Sequence, residues 1–384
     1  MKICIATGTR AEYGLLKPLI DKVIADRTLT LQLLVTGAHL SPEFGLTYKQ
    51  IELDGLKIDE KVEMLLSSDT SEGITKSMGL GMIGYADALK RLLPDLLILL
   101  GDRYEMLALA SAAMIFKIPI AHLHGGEITE GAYDDSIRHA ITKMSHLHFT
   151  STEQYRQRVI QLGEQPNVVF NVGAIGLDNI KSLDLLSKEE LEVELGIRFK
   201  TYNYIVAFHP ETLADVSVEE QIESLLRAIE KQKDSFFIFT KANADTNGRI
   251  INSMIASFSG THPDKAILFS SLGSLKFLSA LKIADAIIGN SSSGIIEAPS
   301  LNTSTINIGD RQKGRMQSNS VINCASNEME IMNAFEQLKS AAWKENLIGI
   351  ENPYDKDQTS AQILQVIKNV DIASLKVKSF YNIK

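Results

Sequence analysis

The sequence predicts an α/β protein made of two parallel-sheet units, and three observations predict it. Short β-rich apolar runs alternate with amphipathic helical stretches along most of the chain, the pattern of parallel sheets covered by helices. At 384 residues the chain is long enough for two domains of ordinary size, each with its own core. Polar clusters follow directly on the apolar runs, at the carboxyl ends of strands, where ligands of such sheets bind.

Taken in order, the first half offers strands over 2–6, 31–35, 95–100, 119–123, 146–150 and 167–171. Helical periodicity fills the gaps at 12–26, 71–93, 104–116, 135–144 and 152–162. The second half repeats the theme with strands over 204–208, 235–239, 265–269 and 285–288, and helices near 218–231 and 275–281. The charged segment 183–200 is the expected crossing between domains at 1–178 and 179–358, and a last helix near 359–370 is placed to return to the first.

Composition narrows the function. A 45% hydrophobic and 22% charged chain is that of a globular protein, and its first residues hold an apolar run too short for a secretory leader. The most apolar stretch, Leu92 to Leu100, is broken by Pro94 and Asp95, so no membrane span is expected. Two cysteines, Cys4 and Cys324, make no disulfide framework or zinc spacing, and a reducing cytoplasm is the expected home. A net charge of -8 argues against nucleic-acid and membrane surfaces as partners.

The strongest motif is Gly289-Asn290-Ser291-Ser292-Ser293-Gly294, between an apolar run and Ile295-Ile296-Glu297. It reads as strand, hydroxyl-rich turn and helix start, a cradle for a diphosphate without metal, or else a plain serine cap. The first strand ends in Thr7-Gly8-Thr9-Arg10, where Arg10 suits a phosphate or a carboxylate, with a solvated arginine on a capped turn as the alternative. Leu96 to Leu100 delivers Gly101-Asp102-Arg103, and an acid beside an apolar wall is where a general base can be tuned, although Asp102 could also cap the next helix.

His122-Leu123-His124-Gly125-Gly126-Glu127 and Asp134-Asp135-Ser136-Ile137-Arg138-His139 gather imidazoles, carboxylates and an arginine at a density core packing does not require. A His-x-His metal site is the rival, weakened by a second His-Leu-His at 146–148 without acids. Asp135 is expected to cap the following helix, leaving Asp134 for chemistry. In the second half, Pro210 fixes His209 at a strand tip, as a phosphate donor or a structural histidine. Asn243 and Asp245 offer groups for a nucleoside or form an ordinary loop, and Gly309 to Arg315, with Arg311 among its cations, suggests an anion nearby. Gly79-Leu80-Gly81-Met82-Ile83-Gly84 imitates a dinucleotide fingerprint but lies in a helical run with no strand before it, so no nicotinamide cofactor is expected.

Together, Gly-Thr-Arg-Ala-Glu-Tyr-Gly (8–14), Gly-Asp-Arg (101–103), His-Gly-Gly-Glu (124–127), Asp-Asp-Ser-Ile-Arg-His (134–139), Phe-His-Pro-Glu-Thr (208–212), the serine turn and Gly-Asp-Arg-Gln-Lys-Gly-Arg (309–315) resemble the hydrolysing UDP-N-acetylglucosamine 2-epimerases. That resemblance implies two Rossmann-like domains facing across a cleft (glycosyltransferase B type), a homodimer or homotetramer, and neither metal nor cofactor. It implies inversion at C2 of the sugar with cleavage of the nucleotide, giving N-acetylmannosamine and UDP, or the same reaction on UDP-N,N'-diacetylbacillosamine. By position the catalytic aspartates are Asp102 and Asp134. Many members carry a third acid where this chain has His124, so that role falls to His124 or Glu127. The UDP-sugar would be held by Arg10, His209, Asn243, Asp245, Asn290, Ser291, Ser292, Ser293, Gly294, Glu297 and Arg311. A glycosyltransferase of the same architecture is the rival class.

Overall fold

The computed structural model describes residues 1–66, 68–130, 132–211, 216–242 and 247–383. Its contacts fall into two compact units, one of Met1–Glu127, Asp134–Asn179 and Tyr354–Lys384, the other of Ile128–Tyr133 and Ile180–Pro353.

Unit 1 contains β1 (Lys2–Thr7), β2 (Thr30–Thr36), β3 (Glu60–Val62), β4 (Leu96–Leu100), β5 (Ile120–Leu123), β6 (Leu147–Thr150) and β7 (Val169–Asn171). They form one sheet in the order β3-β2-β1-β4-β5-β6-β7, with every pair parallel. A parallel sheet is covered on both faces, which is why these strands read as continuous apolar runs. Ile3, Ile5, Leu33, Val35, Leu96 and Ile98 pack one face against Leu16 and Ile20 of the first helix and Ile363 and Ile367 of the last. That last helix, Thr359–Asn369, is tied down by Asp178, whose carboxylate accepts the amides of Thr359 at 3.0 Å and Ser360 at 2.7 Å.

Unit 2 contains β8 (Tyr202–Ala207), β9 (Ser235–Thr240), β10 (Ala266–Phe269), β11 (Ala286–Gly289), β12 (Ser304–Ile308) and β13 (Val321–Cys324). Its sheet runs β10-β9-β8-β11-β12-β13, again wholly parallel. Val206, Phe237, Phe239 and Ile288 meet Ile222, Leu225 and Phe335 on one face. Ile205, Ile238 and Ile287 meet Leu191 and Leu281 on the other. Both units are Rossmann-like, and in each the strand order reverses at one place, between β1 and β4 or between β8 and β11. In such sheets ligands bind at this reversal, where neighbouring connections leave in opposite directions.

All expected strands and helices are present with ends within about two residues. Three strands lie outside the expected set: β3, β12 and β13. The Gly79 to Gly84 segment sits inside the helix Ser71–Leu92, as its periodicity indicates. Among the described residues no helix is long and apolar enough to cross a membrane.

Candidate active site

At the β1 end, Thr9 caps the helix Arg10–Ala25 with its hydroxyl, which accepts the Glu12 amide at 3.2 Å. Glu12 returns the bond, its Oε2 accepting from the amides of Gly8 at 2.7 Å and Thr9 at 3.1 Å. This capping box makes Arg10 the first helical residue, just past the carboxyl end of β1. Burial lowers the Arg10 pKa, opposed by the charge of Asp54. Burial likewise holds His39 down at about 4, so it stands neutral between Thr7 and Thr47, 3.0 and 2.8 Å away.

Glu12 is buried. Burial pushes its carboxyl up to about 7, the charge of Arg103 and the two amides pull it down, and Glu105 raises it further. An acid whose folded pKa exceeds its unfolded value favours the fold below the unfolded pKa, and that contribution disappears as pH rises through the folded one. Wild-type stability should therefore decline between pH 5 and 8 by on the order of 2–3 kcal/mol from this group. Glu12→Gln keeps an acceptor for the two amides and cannot ionise. Urea titrations across that range should show the variant flatter in pH than the wild type; parallel curves would rule out the ionisation of Glu12.

At the β4 end, Gly101 turns with φ +76° and the chain enters the helix Tyr104–Ile115 after Asp102 and Arg103. Arg103, not Asp102, occupies the cap position, so Asp102 is not spent on capping. Its carboxylate instead pairs with the Nη2 of Arg138, a residue only 2% exposed. Arg138 also donates from Nη1 to the His124 carbonyl at 2.9 Å and lies 3.7 Å from Glu127 Oε2. A planar guanidinium meets several acceptors at once, which lets one side chain tie β4, the β5 end and the helix Asp134–Met144 together.

Glu127, 1% exposed, accepts from Ser151 Oγ at 2.7 Å and from His124 Nδ1 at 2.9 Å. The Ile175 amide donates to His124 Nε2 at 3.4 Å, so the ring proton sits on Nδ1 and points at the carboxylate. His124 holds this place with φ +64°, a left-handed conformation uncommon for any residue but glycine. Its amide bonds to Phe149 O at 2.8 Å and its carbonyl to Arg138, and these two bonds stabilise that backbone. Gly126 follows with φ +78°, where a Cβ would come within 2.5 Å of Tyr155 O.

His122 is a different case. Both its nitrogens are engaged, Nε2 with Gly101 O at 2.7 Å and Nδ1 with Thr142 Oγ1 at 3.1 Å, and burial holds it down at about 3. It is a structural neutral imidazole, and among the described residues no group of three or more His, Cys, Asp or Glu has metal-binding geometry. The expectation that Asp135 caps the next helix is corrected: the helix starts at Asp134, and both acids occupy its first turn. Negative charge is favoured there by the helix dipole, and Asp135 pairs instead with His139 one turn on, at 3.5 Å.

In unit 2, β8 and β11 approach so closely at their ends that a Cβ on Gly289 would lie 2.2 Å from Ala207 O. Asn290 follows, completely buried, its Oδ1 accepting the His209 amide at 2.7 Å and its Nδ2 donating to the His209 carbonyl at 2.8 Å. That two-way bond makes Asn290 the residue that sets the His209 backbone, rather than an open ligand group. Ser291 caps the short helix Ser292–Ile296, its hydroxyl accepting the Ser293 amide at 3.3 Å. Gly294 is required by packing, since a Cβ there would be 2.6 Å from Thr305 Cγ2. Glu297 sits at the C-cap of this five-residue helix instead of one turn into a longer one, and is 7% exposed.

The loop 309–315, expected to lie near an anion, is braced from within unit 2. Glu211 lies on its backbone, accepting the Arg311 amide at 3.2 Å as well as the Asp310 amide, and a Cβ on Gly309 would meet its carboxylate at 2.0 Å. Burial raises the Glu211 pKa while the amides lower it. Arg311 and Gln312 both donate to Asn290 O, at 3.0 and 2.7 Å. Arg315 bonds to the Ile128 carbonyl at 2.9 Å. Asn243 and Asp245 lie outside the described residues, as does Thr212 of the His209 motif. Arg138, Ser151 and Glu211 are residues to which the sequence alone assigned no role of their own, although Arg138 and Glu211 stand in motifs it marked. Arg138 also stands one helical turn after Asp134.

Two doubly wound sheets of this order, each with its polar residues at the reversal of strand order, have the architecture of glycosyltransferase B type proteins. The chain superimposes on the crystal structure of UDP-GlcNAc 2-epimerase from Neisseria meningitidis bound to UDP-GlcNAc with a TM-score of 0.79 and 20% identity, over 96% of this chain and 100% of that one. The UDP-N-acetylglucosamine 2-epimerase family model matches residues 21–368. A Campylobacter jejuni protein named GDP/UDP-N,N'-diacetylbacillosamine 2-epimerase (hydrolyzing) is 46% identical over 100% of this chain and 99% of its own. Polysialic acid biosynthesis protein P7 of Escherichia coli is 40% identical over 100% and 97%. The chain belongs to the UDP-N-acetylglucosamine 2-epimerase family, and it is an enzyme of the hydrolysing kind.

Proposed function

We propose that this enzyme converts a UDP-linked 2-acetamido sugar to UDP and the free C2 epimer, and that its preferred substrate is the N,N'-diacetylbacillosamine derivative. The observation that carries the chemistry is the linked set of Asp102, His124, Glu127 and Arg138, with Asp134 at a helix start one turn before Arg138. The name of the Campylobacter relative supports the choice of sugar.

In the proposed reaction a base removes the C2 proton while the anomeric C–O bond breaks, its electron pair leaving on the diphosphate of UDP. The product of this step is a glycal. Water then adds at C1 and a proton returns to C2 from the opposite face, so proton-transfer groups are needed on both sides of the ring. Asp102, Asp134 and the His124–Glu127 pair are the groups assigned to these transfers. Arg10, His209, Arg311 and the serine turn at 291–293 are assigned to the diphosphate, whose leaving charge fixed donors stabilise. Glu297 is assigned to the ribose hydroxyls and Gly294 to close approach of the backbone.

A second reading, UDP-N-acetylglucosamine giving N-acetylmannosamine, is favoured by the polysialic acid relative. Incubation of both UDP-sugars, and of the GDP form of the diacetylated one, in deuterated water separates these readings. Release of the nucleotide with deuterium at C2 of the sugar is expected, with kcat/KM at least about tenfold higher for UDP-N,N'-diacetylbacillosamine. A higher kcat/KM for UDP-N-acetylglucosamine would reverse the order, and an unlabelled sugar would favour transfer or plain hydrolysis.

A further inference from the structure

We propose that Arg315 is a positioning residue: it clasps the short segment Ile128–Tyr133 and thereby holds Glu127 and Asp134, the acids joined to its two ends, in working register. The proposal rests on the assignment of those acids to proton transfer.

Contacts group Ile128–Tyr133 with unit 2, although the chain before it, through Glu127, and after it, from Asp134, belongs to unit 1. Arg315 donates from Nε to Ile128 O at 2.9 Å and from Nη2 to Thr129 Oγ1 at 3.5 Å. Two donors on one edge of a guanidinium fix the direction of the segment as well as its distance, which a lysine cannot reproduce. Gly314, with φ +81°, closes the grip: a Cβ there would stand 2.9 Å from both Ile128 Cγ2 and Glu130 Oε1. Thr129 and Ala132 are buried, and the Ala132 amide closes a turn onto Thr129 O at 3.0 Å.

The clasp is continuous with the serine turn. The Arg315 amide bonds to Gln312 O at 3.2 Å, and Gln312 Nε2 bonds to the carbonyl of Asn290, the neighbour of Ser291, at 2.7 Å. The side chain that grips 128–129 is therefore anchored, through one turn, on the element assigned to UDP. A shift of the segment would move both acids without altering a group assigned to the nucleotide, and small misplacements of reacting groups cost rate far more than affinity.

The test uses Arg315→Ala, Arg315→Lys and Thr129→Val in the full chain. UDP affinity is measured by calorimetry, kcat on whichever UDP-sugar the wild type turns over, and amide hydrogen exchange over 128–133 in unliganded protein. Arg315→Ala should lower kcat about 100-fold, keep the UDP dissociation constant within about twofold, and speed exchange over 128–133. Lysine should rescue only a small part, and Thr129→Val, which disturbs only the weaker bond, should shift kcat and exchange the same way to a lesser degree. Unchanged exchange, or a loss of UDP affinity with kcat intact, would overturn the clasp. If the wild type hydrolyses no nucleotide sugar, the proposed reaction fails on its own, and the exchange rates still decide whether Arg315 holds the segment.

Discussion

Replacing Asp102 by asparagine is expected to slow UDP release about 1000-fold while leaving UDP affinity within about a factor of two. Asparagine has nearly the same shape and still offers Arg138 a carbonyl oxygen, so the site keeps its geometry. It cannot take up a proton. A positioned base contributes roughly two to four powers of ten, and a variant that binds product normally but turns over slowly has lost that contribution alone. Single-turnover kinetics in deuterated water sharpen the test, because C2 exchange should fall together with UDP release. Normal turnover in this variant would remove Asp102 from the chemistry.

Arg138→Met should be damaging in two ways at once. Arg138 serves Asp102, the His124 carbonyl and, at 3.7 Å, Glu127, so its loss takes the guanidinium away from the partly exposed Asp102 and the buried Glu127 together. Losing a hydrogen bond between charged groups at a part-buried site costs about 2–3 kcal/mol, and the urea midpoint should drop accordingly. Turnover should fall at least about 1000-fold, because the guanidinium also fixes the left-handed backbone of His124. Arg138→Lys separates the two effects. Lysine restores a charge but not the fork, so it should recover stability more than rate. A methionine variant that is unstable yet fully active at low temperature would reduce Arg138 to a structural role.

Much of the fold was legible because its signals are local. The runs that became β1, β4, β8 and β11 are apolar on both faces, and each stops at a glycine or polar turn that a reader of the chain can mark. β12 was hidden for a definite reason. Its five residues, Ser304-Thr305-Ile306-Asn307-Ile308, are all buried, yet three are polar and break the apolar run. Their polar groups are satisfied by partners far along the chain: Ser304 by Trp343 Nε1 at 3.0 Å, Thr305 by Gly294 O at 2.6 Å, and Asn307 by Asn323 at 2.8 Å. β3 and β13, at sheet edges, are short and half-exposed, and carry little periodicity.

The candidate site divides the same way. Sequence alone determined where polar turns follow apolar strands, since Asp102, His124, Asn290 and Ser291 stand just past such runs and the strand-to-turn boundary is written in neighbouring residues. What each side chain does there was decided by tertiary structure. The pairing of Arg138 with Asp102 exists because β4 lies beside β5 and the helix after it folds back across the sheet edge. Asn290 became the brace of His209 because β8 and β11 are neighbours in space while 82 residues apart at Tyr204 and Ala286, and Glu211 the filler of the 309–311 backbone because β12, which leads into it, lies next beyond β11. Periodicity reports on contacts within one element; a hydrogen bond between elements depends on strand order, and strand order is a property of the folded sheet.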